Sequence, residues 1–199
     1  MPPSNGPSRP LSVLSLSPEP RPVTTRNHLR PPSGVHLLPL AACHEEGFLT
    51  AVRTSRTLHR PWVSPPATAE QFAAYVERMQ APGNCGLLVA RQAEMALDLV
   101  GVVNITNMVM GAFCSGYLGY YAFAGFERQG VMRKGLTLAV RHAFRTLKLH
   151  RLEANIQPGN AASLALVRSC GFTQEGYSPR YLKIGGRWRD HERWAIVAP

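Results

Sequence analysis

Apolar positions change their period along the chain, and the changes lay out the elements. Val35-His36-Leu37-Leu38-Pro39-Leu40 reads as a short strand. Over about 42–58 the spacing turns helical, with Phe48, Leu49, Val52 and Arg56 a turn apart, until Pro61, Pro65 and Pro66 break it. Thr68 stands as an N-cap before a helix over Glu70–Gln80, whose one face carries Phe72, Tyr75, Val76 and Met79. Three strand-like runs follow, Cys85–Arg91, Leu97–Met108 and Ala112–Phe123, joined by short turns as in an antiparallel meander. Helical spacing returns over Gln129–Leu147 through Met132, Leu136, Val140, Ala143 and Leu147, with Arg133, Arg141, Arg145 and Lys148 around them. In His150–Gln157, Leu152, Ala154 and Ile156 alternate inward as in a strand. Asn160–Cys170 forms a helix closed by Gly171, and Phe172–Ile184 and Arg187–Val197 form a hairpin turning at Gly185-Gly186. The order β-α-α-β-β-β-α-β-α-β-β predicts an α+β fold with a mixed sheet.

Residues 1–34 follow no such pattern. They hold nine of the 17 prolines, and Arg9, Glu19, Arg21, Arg26 and Arg30 are their charged residues. Pro, Ser and Arg with scattered leucines cannot build a packed face, so this stretch is expected to be a disordered or loosely attached arm. The remainder, 35–199, has the size of one domain. Mean hydropathy is -0.12, and no uninterrupted apolar run approaches the ~18 residues of a membrane span. The opening residues lack the continuous apolar core of a secretory signal, LSVLSLSP (11–18) being short and broken by Ser and Pro. The expectation is a cytoplasmic protein with no membrane partner, as a monomer or homodimer. Cys43, Cys85, Cys114 and Cys170 are scattered without zinc-ligand spacing, which predicts reduced thiols and no metal.

Charge changes the picture more. Lys and Arg number 22 against 12 Asp and Glu, a net charge of +10. Such a surface attracts polyanions, among them RNA, ribosomes and phosphorylated cofactors, or serves solubility alone. A candidate anion site lies where strand 112–123 runs through Glu127-Arg128-Gln129-Gly130-Val131-Met132 into the next helix. A helix start presents unpaired N–H groups and a positive dipole end. Gly130 lets the backbone approach a pyrophosphate, and Arg128, Arg133 and Lys134 add positive charge. Taken alone, the loop reads more readily as an ordinary strand-to-helix turn with surface arginines.

A second junction, Pro158-Gly159-Asn160-Ala161-Ala162-Ser163, follows strand 150–157. With it, the chain resembles the GNAT superfamily of acetyl-CoA-dependent N-acetyltransferases, and closer still the ribosomal-protein-alanine N-acetyltransferase family. The resemblance covers about residues 35–197. It rests on Tyr117-Leu118-Gly119-Tyr120, Gln129-Gly130-Val131-Met132, Leu149-His150-Arg151, Asn160-x-x-Ser163, Gly171-Phe172-x-x-Glu175-Gly176, Tyr181-Leu182 and Trp188-Arg189-Asp190-His191.

The resemblance implies a mixed, mostly antiparallel sheet with a central V-shaped splay, flanked by helices, and acetyl-CoA as cosubstrate lying in the V. Backbone groups of Tyr121, Ala122 and Phe123 would pair with the pantetheine arm. Amides from Arg128 through Gln129, Gly130, Val131 and Met132 to Arg133 would hold the pyrophosphate. Asn160 and Ser163 would face the thioester sulfur, and acetyl would pass directly to an amine. The acceptor implied is a protein or peptide N-terminus, a ribosomal protein in the named family.

Chemistry at the residues agrees with this in outline. A thioester is already activated, so orientation of a neutral amine is the main task. An α-amine of pKa roughly 7.7–8.0 supplies that neutral form near pH 7. Ser163 could donate to a departing thiolate, while Asn160 is equally an ideal N-cap. Glu175 is the family-matching acid and so a candidate base or a structural acceptor; Glu153 faces either the cleft or solvent. Trp62, Tyr117, Tyr181 and Trp188 are candidates to wall the acceptor entrance, and His191 to contact the acceptor or lock the last strand. Glu127 and Arg128 depart from the family loop, and an acid beside a pyrophosphate is repulsive. Two other readings stay open: a small-amine or antibiotic acetyltransferase, and a catalytically inactive basic module that binds ribosomes or RNA.

Overall fold

The computed structural model describes residues 34–93 and 97–199. Apart from Gly34, the arm expected over 1–34 lies outside them. Strands β1 (Val35–Pro39), β2 (Cys85–Gln92), β3 (Leu97–Val109), β4 (Ser115–Ala122), β5 (Arg151–Ile156), β6 (Thr173–Ile184) and β7 (Arg187–Val197) join in one sheet. Their order across it is β1-β2-β3-β4-β5-β7-β6. Every neighbouring pair is antiparallel except β4 and β5. The parallel pair needs a crossover, and the long helix α4 (Val131–Arg145) supplies it.

Where β4 meets β5, the ladder covers Ser115–Tyr117 against Arg151–Glu153 and then stops. Both strands run on, β4 to Ala122 and β5 to Ile156, without pairing to each other. This is the splay, a wedge opened between two parallel strands at their C-terminal ends. The mixed sheet with its central V is therefore as expected.

Side-chain alternation gives the sheet two covered faces. Leu87, Val89, Val103, Leu118, Leu152, Ala154 and Ile156 meet α4 and α5 (Ala161–Ser169) in one core. Leu88, Val102 and Phe123 meet α1 (Glu45–Thr54) and α3 (Ala69–Gln80) in the other. Phe72, Tyr75, Val76 and Met79 are all buried there, and the Thr68 hydroxyl accepts from the Gln71 N–H as the cap.

The helix expected over 42–58 is interrupted. A 3-10 turn at Ala42–His44 precedes α1, and a one-turn helix α2 (Arg56–His59) follows it. The break falls at Ser55, whose hydroxyl donates to the Ala51 carbonyl at 2.6 Å and accepts from the Ala124 N–H at 2.9 Å. A serine bonding back four residues competes with the helical ladder, and here it ties the break to the loop after β4. That loop is longer than the sequence suggested, because α4 starts at Val131 rather than Gln129. At the other end β4 starts at Ser115 rather than Ala112, since Cys114 takes a left-handed φ of 42°.

Gly135, in the middle of α4, costs helix propensity, and the fold supplies the reason for it. A Cβ there would lie 2.4 Å from Val89 Cγ1 on β2. Gly135→Ala should therefore destabilise the protein by about 1–3 kcal/mol through overpacking, despite a propensity gain of about 1 kcal/mol. Thermal unfolding of Gly135→Ala, Val89→Ala and the double variant checks it: the double variant should be more stable than the sum of the two single losses.

Candidate active site

A cleft of about 1050 Å³ opens where β4 and β5 part. Its two sides have different chemistry because they belong to different faces of the sheet. Leu118 and Tyr120 on β4, and Ala154 and Ile156 on β5, pack toward α4 and α5. Tyr121 packs toward α1 and α3, and alternation puts Asn155 on that same side.

On the α4–α5 side, α4 begins at Gly130, which takes a left-handed φ of 71° with open space where a Cβ would stand. No side chain caps this start, and its first turn carries no acid. The Lys134 N–H closes the first intrahelical bond on the Gly130 carbonyl, at 3.1 Å. The amides of Val131, Met132 and Arg133 precede that bond and keep no intrahelical partner. Arg128, Gly130, Met132 and Arg133 line the cleft, whereas the Val131 side chain is buried in the core.

The loop ahead of this start is internally braced. Glu127 Oε2 accepts from the Gly125 N–H at 2.9 Å, and Gln129 Nε2 donates to the Gly125 carbonyl at 2.8 Å. Arg91 donates to Gln129 Oε1 at 3.0 Å and lies 4.8 Å above the Phe126 ring. Glu127 is thus engaged within the loop, and the Gln129 side chain is a strut.

The helix α5 starts beside it. Asn160 Oδ1 accepts from the Ser163 N–H at 3.1 Å, the N-cap bond its position suggested. Both residues line the cleft. The Tyr120 hydroxyl donates to the Ser163 carbonyl at 2.9 Å. Burial pushes that phenol far above its ordinary value, so it stays a donor.

The edge of β4 differs from expectation. The Phe123 N–H donates to the Val100 carbonyl of β3 at 2.7 Å. Antiparallel bonding alternates, so Tyr121, opposite Val102, also turns its backbone toward β3, while Tyr120 and Ala122 turn theirs toward the cleft. Of the expected trio, Ala122 alone presents its backbone there, and its carbonyl accepts from His59 Nε2 at 2.8 Å.

On the α1–α3 side the cleft is lined by His59, Trp62, Asn104, Tyr121, Asn155 and His191. Trp62 crosses toward α5: a Cβ on Gly159 would sit 3.2 Å from its ring. His191 is buried, and its Nδ1–H donates to the Arg189 carbonyl at 2.9 Å. Burial pushes the His59 imidazole below its ordinary value. It pushes the Tyr121 phenol up strongly, with the neighbouring Tyr75 adding to the effect.

Several expected residues stand elsewhere. Glu175 is absent from the cleft wall and forms a two-armed ion pair with Arg151, which also holds Glu153 at 2.8 Å. Those bonds hold the Glu175 carboxyl below its ordinary value, the opposite of what a base near neutral pH needs. Trp188 is 61% exposed near the hairpin turn, opposite Lys183, and does not wall the entrance. Tyr117 and Tyr181 stand together outside the lining, where the Tyr181 hydroxyl pushes the Tyr117 phenol up. Leu182 and Ile184 of β6 line the cleft in their place. Asp190 locks the hairpin, accepting from the Tyr177 hydroxyl at 2.6 Å and the Arg180 N–H at 2.7 Å. His59, Asn155 and Tyr120 were missed as site residues. Alternation in β5 could have found Asn155, but nothing local distinguishes His59 from the end of an amphipathic helix.

A splayed parallel pair with two helix starts at its mouth is the arrangement that the resemblance to the GNAT acetyltransferases implied, and similarity to known proteins agrees. The sequence matches the acetyltransferase (GNAT) domain over residues 34–173, and the chain belongs to that family. Over 102 residues it is 41% identical to the ribosomal protein uS5-alanine N-acetyltransferase of Escherichia coli, covering 51% of this chain and 53% of that protein. The chain spans about half the length of the curated relatives it matches. Its fold is similar to Mycobacterium smegmatis RimJ in complex with CoA-disulfide, with a TM-score of 0.74 and 26% identity over 82% of each chain. It also resembles a Vibrio cholerae spermidine N-acetyltransferase in complex with CoA and spermine, with a TM-score of 0.68 and 19% identity over 82% of this chain and 95% of that one. At that identity the likeness is one of fold. No helix among the described residues is long and apolar enough to cross a membrane.

Two checks follow from the carboxylates. Arg151 holds Glu175 below its ordinary value of about 4.5, so the ion pair's contribution is complete above that value and is lost as pH falls through the lower folded one. Glu175→Gln should flatten the acid side of the stability curve and leave the pH dependence of acetyl transfer unchanged above pH 6. Glu127→Ala should weaken acetyl-CoA binding about 2–10-fold by calorimetry, as expected for one lost hydrogen bond of about 0.5–1.5 kcal/mol in the loop.

Proposed function

We propose that the protein is an acetyl-CoA-dependent N-acetyltransferase acting on the N-terminal α-amine of a protein or peptide, of the ribosomal-protein class. The observation that carries the reading is the splay itself. Two helix starts lie on one side of the cleft, with Arg128 and Arg133 at the first, and the polar wall on the other carries no carboxylate among the described residues. Open space at Gly130, uncapped amides, and Arg128 and Arg133 fit a pyrophosphate. Backbone groups of Tyr120 and Ala122 would hold the pantetheine arm.

Acetyl-CoA supplies an activated thioester, so the chemistry on offer is acetyl transfer to a neutral amine. The chain orients that amine, with Trp62 reaching across to Gly159 beside the start of α5. The Ser163 hydroxyl, in the first turn of α5, is the donor placed for charge developing on sulfur. Asn160 fixes that turn through its cap bond.

Support for a protein N-terminus comes from the uS5-alanine relative and from the acceptor wall. A polyamine carries several positive charges and calls for carboxylates. Among the described residues Glu127 is the sole carboxylate lining the cleft, and it is engaged with Gly125. An inactive RNA-binding module would have no use for the uncapped α4 start facing a cleft of this size.

Incubation with isotopically labelled acetyl-CoA and an alanine-initiated peptide should label the peptide's α-amine, read by mass spectrometry, with spermidine labelled far more slowly. Acetyl-CoA at 100 times its Kd should stabilise the protein by about 2.7 kcal/mol. Absence of a thermal shift at millimolar acetyl-CoA would overturn the enzyme reading, and preferential labelling of spermidine would replace the acceptor class.

A further inference from the structure

Among the described residues, three buried side-chain atoms have no hydrogen-bond partner: His59 Nδ1, the Tyr121 hydroxyl and Asn155 Oδ1. All three residues line the same cleft, on its α1–α3 side. An unpartnered buried polar group costs stability, so three converging on one wall point to a ligand that completes them.

Their chemistry says what that ligand offers. The Ala122 carbonyl can only accept, so His59 Nε2 carries the hydrogen of their 2.8 Å bond. In the neutral ring Nδ1 is then a bare lone pair. Asn155 Oδ1 is an acceptor, and a phenol can accept. Two acceptors and a phenol that can both donate and accept match a group without multiple charges that brings N–H donors and one acceptor: an amine followed by a peptide group.

We propose that His59, Tyr121 and Asn155 form the acceptor-amine subsite, and that His59 Nδ1 receives the proton the amine gives up. The inference rests on the acetyltransferase reading. The amine's lone pair forms the C–N bond to the acetyl carbon. The C–S bond breaks with its electron pair on sulfur, which takes a proton from solvent. The surplus amine proton passes to Nδ1 and leaves to solvent when the product departs.

The rest of the packing suits this role. His59 is 4% exposed and edge-on to Tyr121, with ring centroids 5.2 Å apart, and its Nε2 bond fixes the ring's orientation and tautomer. The titratable groups facing it are the Tyr121 phenol and, behind that, Tyr75 with Arg78 5.5 Å over its ring. No carboxylate contributes to its titration, and burial lowers it, so the ring is neutral and proton-accepting at neutral pH.

A pH signature follows. The attacking α-amine must be neutral, which gives log kcat/KM a slope of 1 below about pH 8. Below the His59 value, under its ordinary 6.5, a second proton blocks the base and the slope rises to 2.

The test uses the full chain, acetyl-CoA, an alanine-initiated peptide, and the variants His59→Gln, Tyr121→Phe and His191→Gln. Glutamine keeps a donor for the Ala122 carbonyl and removes the titrating nitrogen. His59→Gln should lower kcat about 100-fold at pH 7, abolish the step from slope 1 to slope 2, and leave the acetyl-CoA Kd within about 2-fold by calorimetry. Tyr121→Phe should raise the peptide KM several-fold at unchanged acetyl-CoA Kd. His191→Gln should keep the change of slope. In the unliganded wild type, imidazole nitrogen NMR should show His59 as the Nε2–H tautomer, and the peptide alone should shift its Nδ1 signal.

Near-wild-type kcat and slopes in His59→Gln, with the wild type active, would overturn the subsite and leave the function standing. Loss of the slope change in His191→Gln but not in His59→Gln would do the same. A wild type that acetylates no peptide would overturn the function. The NMR arm then still decides the subsite: an Nδ1–H tautomer, or no shift on adding peptide, would overturn it.

Discussion

Three residue pairs between β4 and β5 hold the two halves of the sheet together, and the site exists because the pairing ends there. Were the ladder to continue, the backbone groups of Tyr120 and Ala122 would be spent on β5 and the cleft would close. The parallel pairing also fixes direction. Both strands point the same way, so both following helices start at the mouth of the wedge. Two positive helix ends thus converge on one opening as a consequence of topology.

The small face of the fold keeps that opening in shape. Ser55 breaks the first helix and bonds Ala124, and His59, one turn later, bonds Ala122. A short helix is thereby fastened to the last residues of β4 and the first of its loop. From the other direction, Gln129 and Glu127 fold the same loop onto Gly125, and Arg91 clamps Gln129. The loop ahead of α4 is held from both faces, so disturbance of the α1–α2 break reaches the α4 start through Ala124 without touching it.

Elements with a long period were legible in the sequence. The face of α3, the apolar stripe of α4, the alternation in β5 and the glycine turn of the last hairpin all follow from side-chain spacing, and they stand where spacing puts them. The Ser55 break was not legible, because a serine inside an amphipathic helix betrays its back-bonding only once Ala124 comes to meet it. Motif matching placed Asn160, Ser163 and Gly130 on the cleft but misassigned Glu175, since Arg151 claims that carboxylate from 24 residues away. It likewise took the wrong register for the backbone at β4: Tyr121 and Phe123 face β3 because pairing with Val102 and Val100 sets the alternation. His59 became a site residue only when the chain brought α2 over β4, and Tyr121, expected there through its backbone, reaches the cleft through its side chain.

The distribution of acids completes the electrostatic argument. Asp98 is paired with Arg91, Glu153 and Glu175 with Arg151, and Asp190 with Tyr177 and the Arg180 amide. Glu127 is turned into its own loop. A chain of net charge +10 thus commits these carboxylates to scaffolding, and among the described residues no free carboxylate stands on the cleft wall. The α4 side is left with positive potential, and the α1–α3 side is left without a carboxylate among the described residues. A neutral wall does not hold an amine in its charged form, so proton loss by the amine meets no carboxylate that would oppose it. The same splay thus leaves positive potential on one of its sides and, under the proposed function, favours the reactive form of a nucleophile on the other.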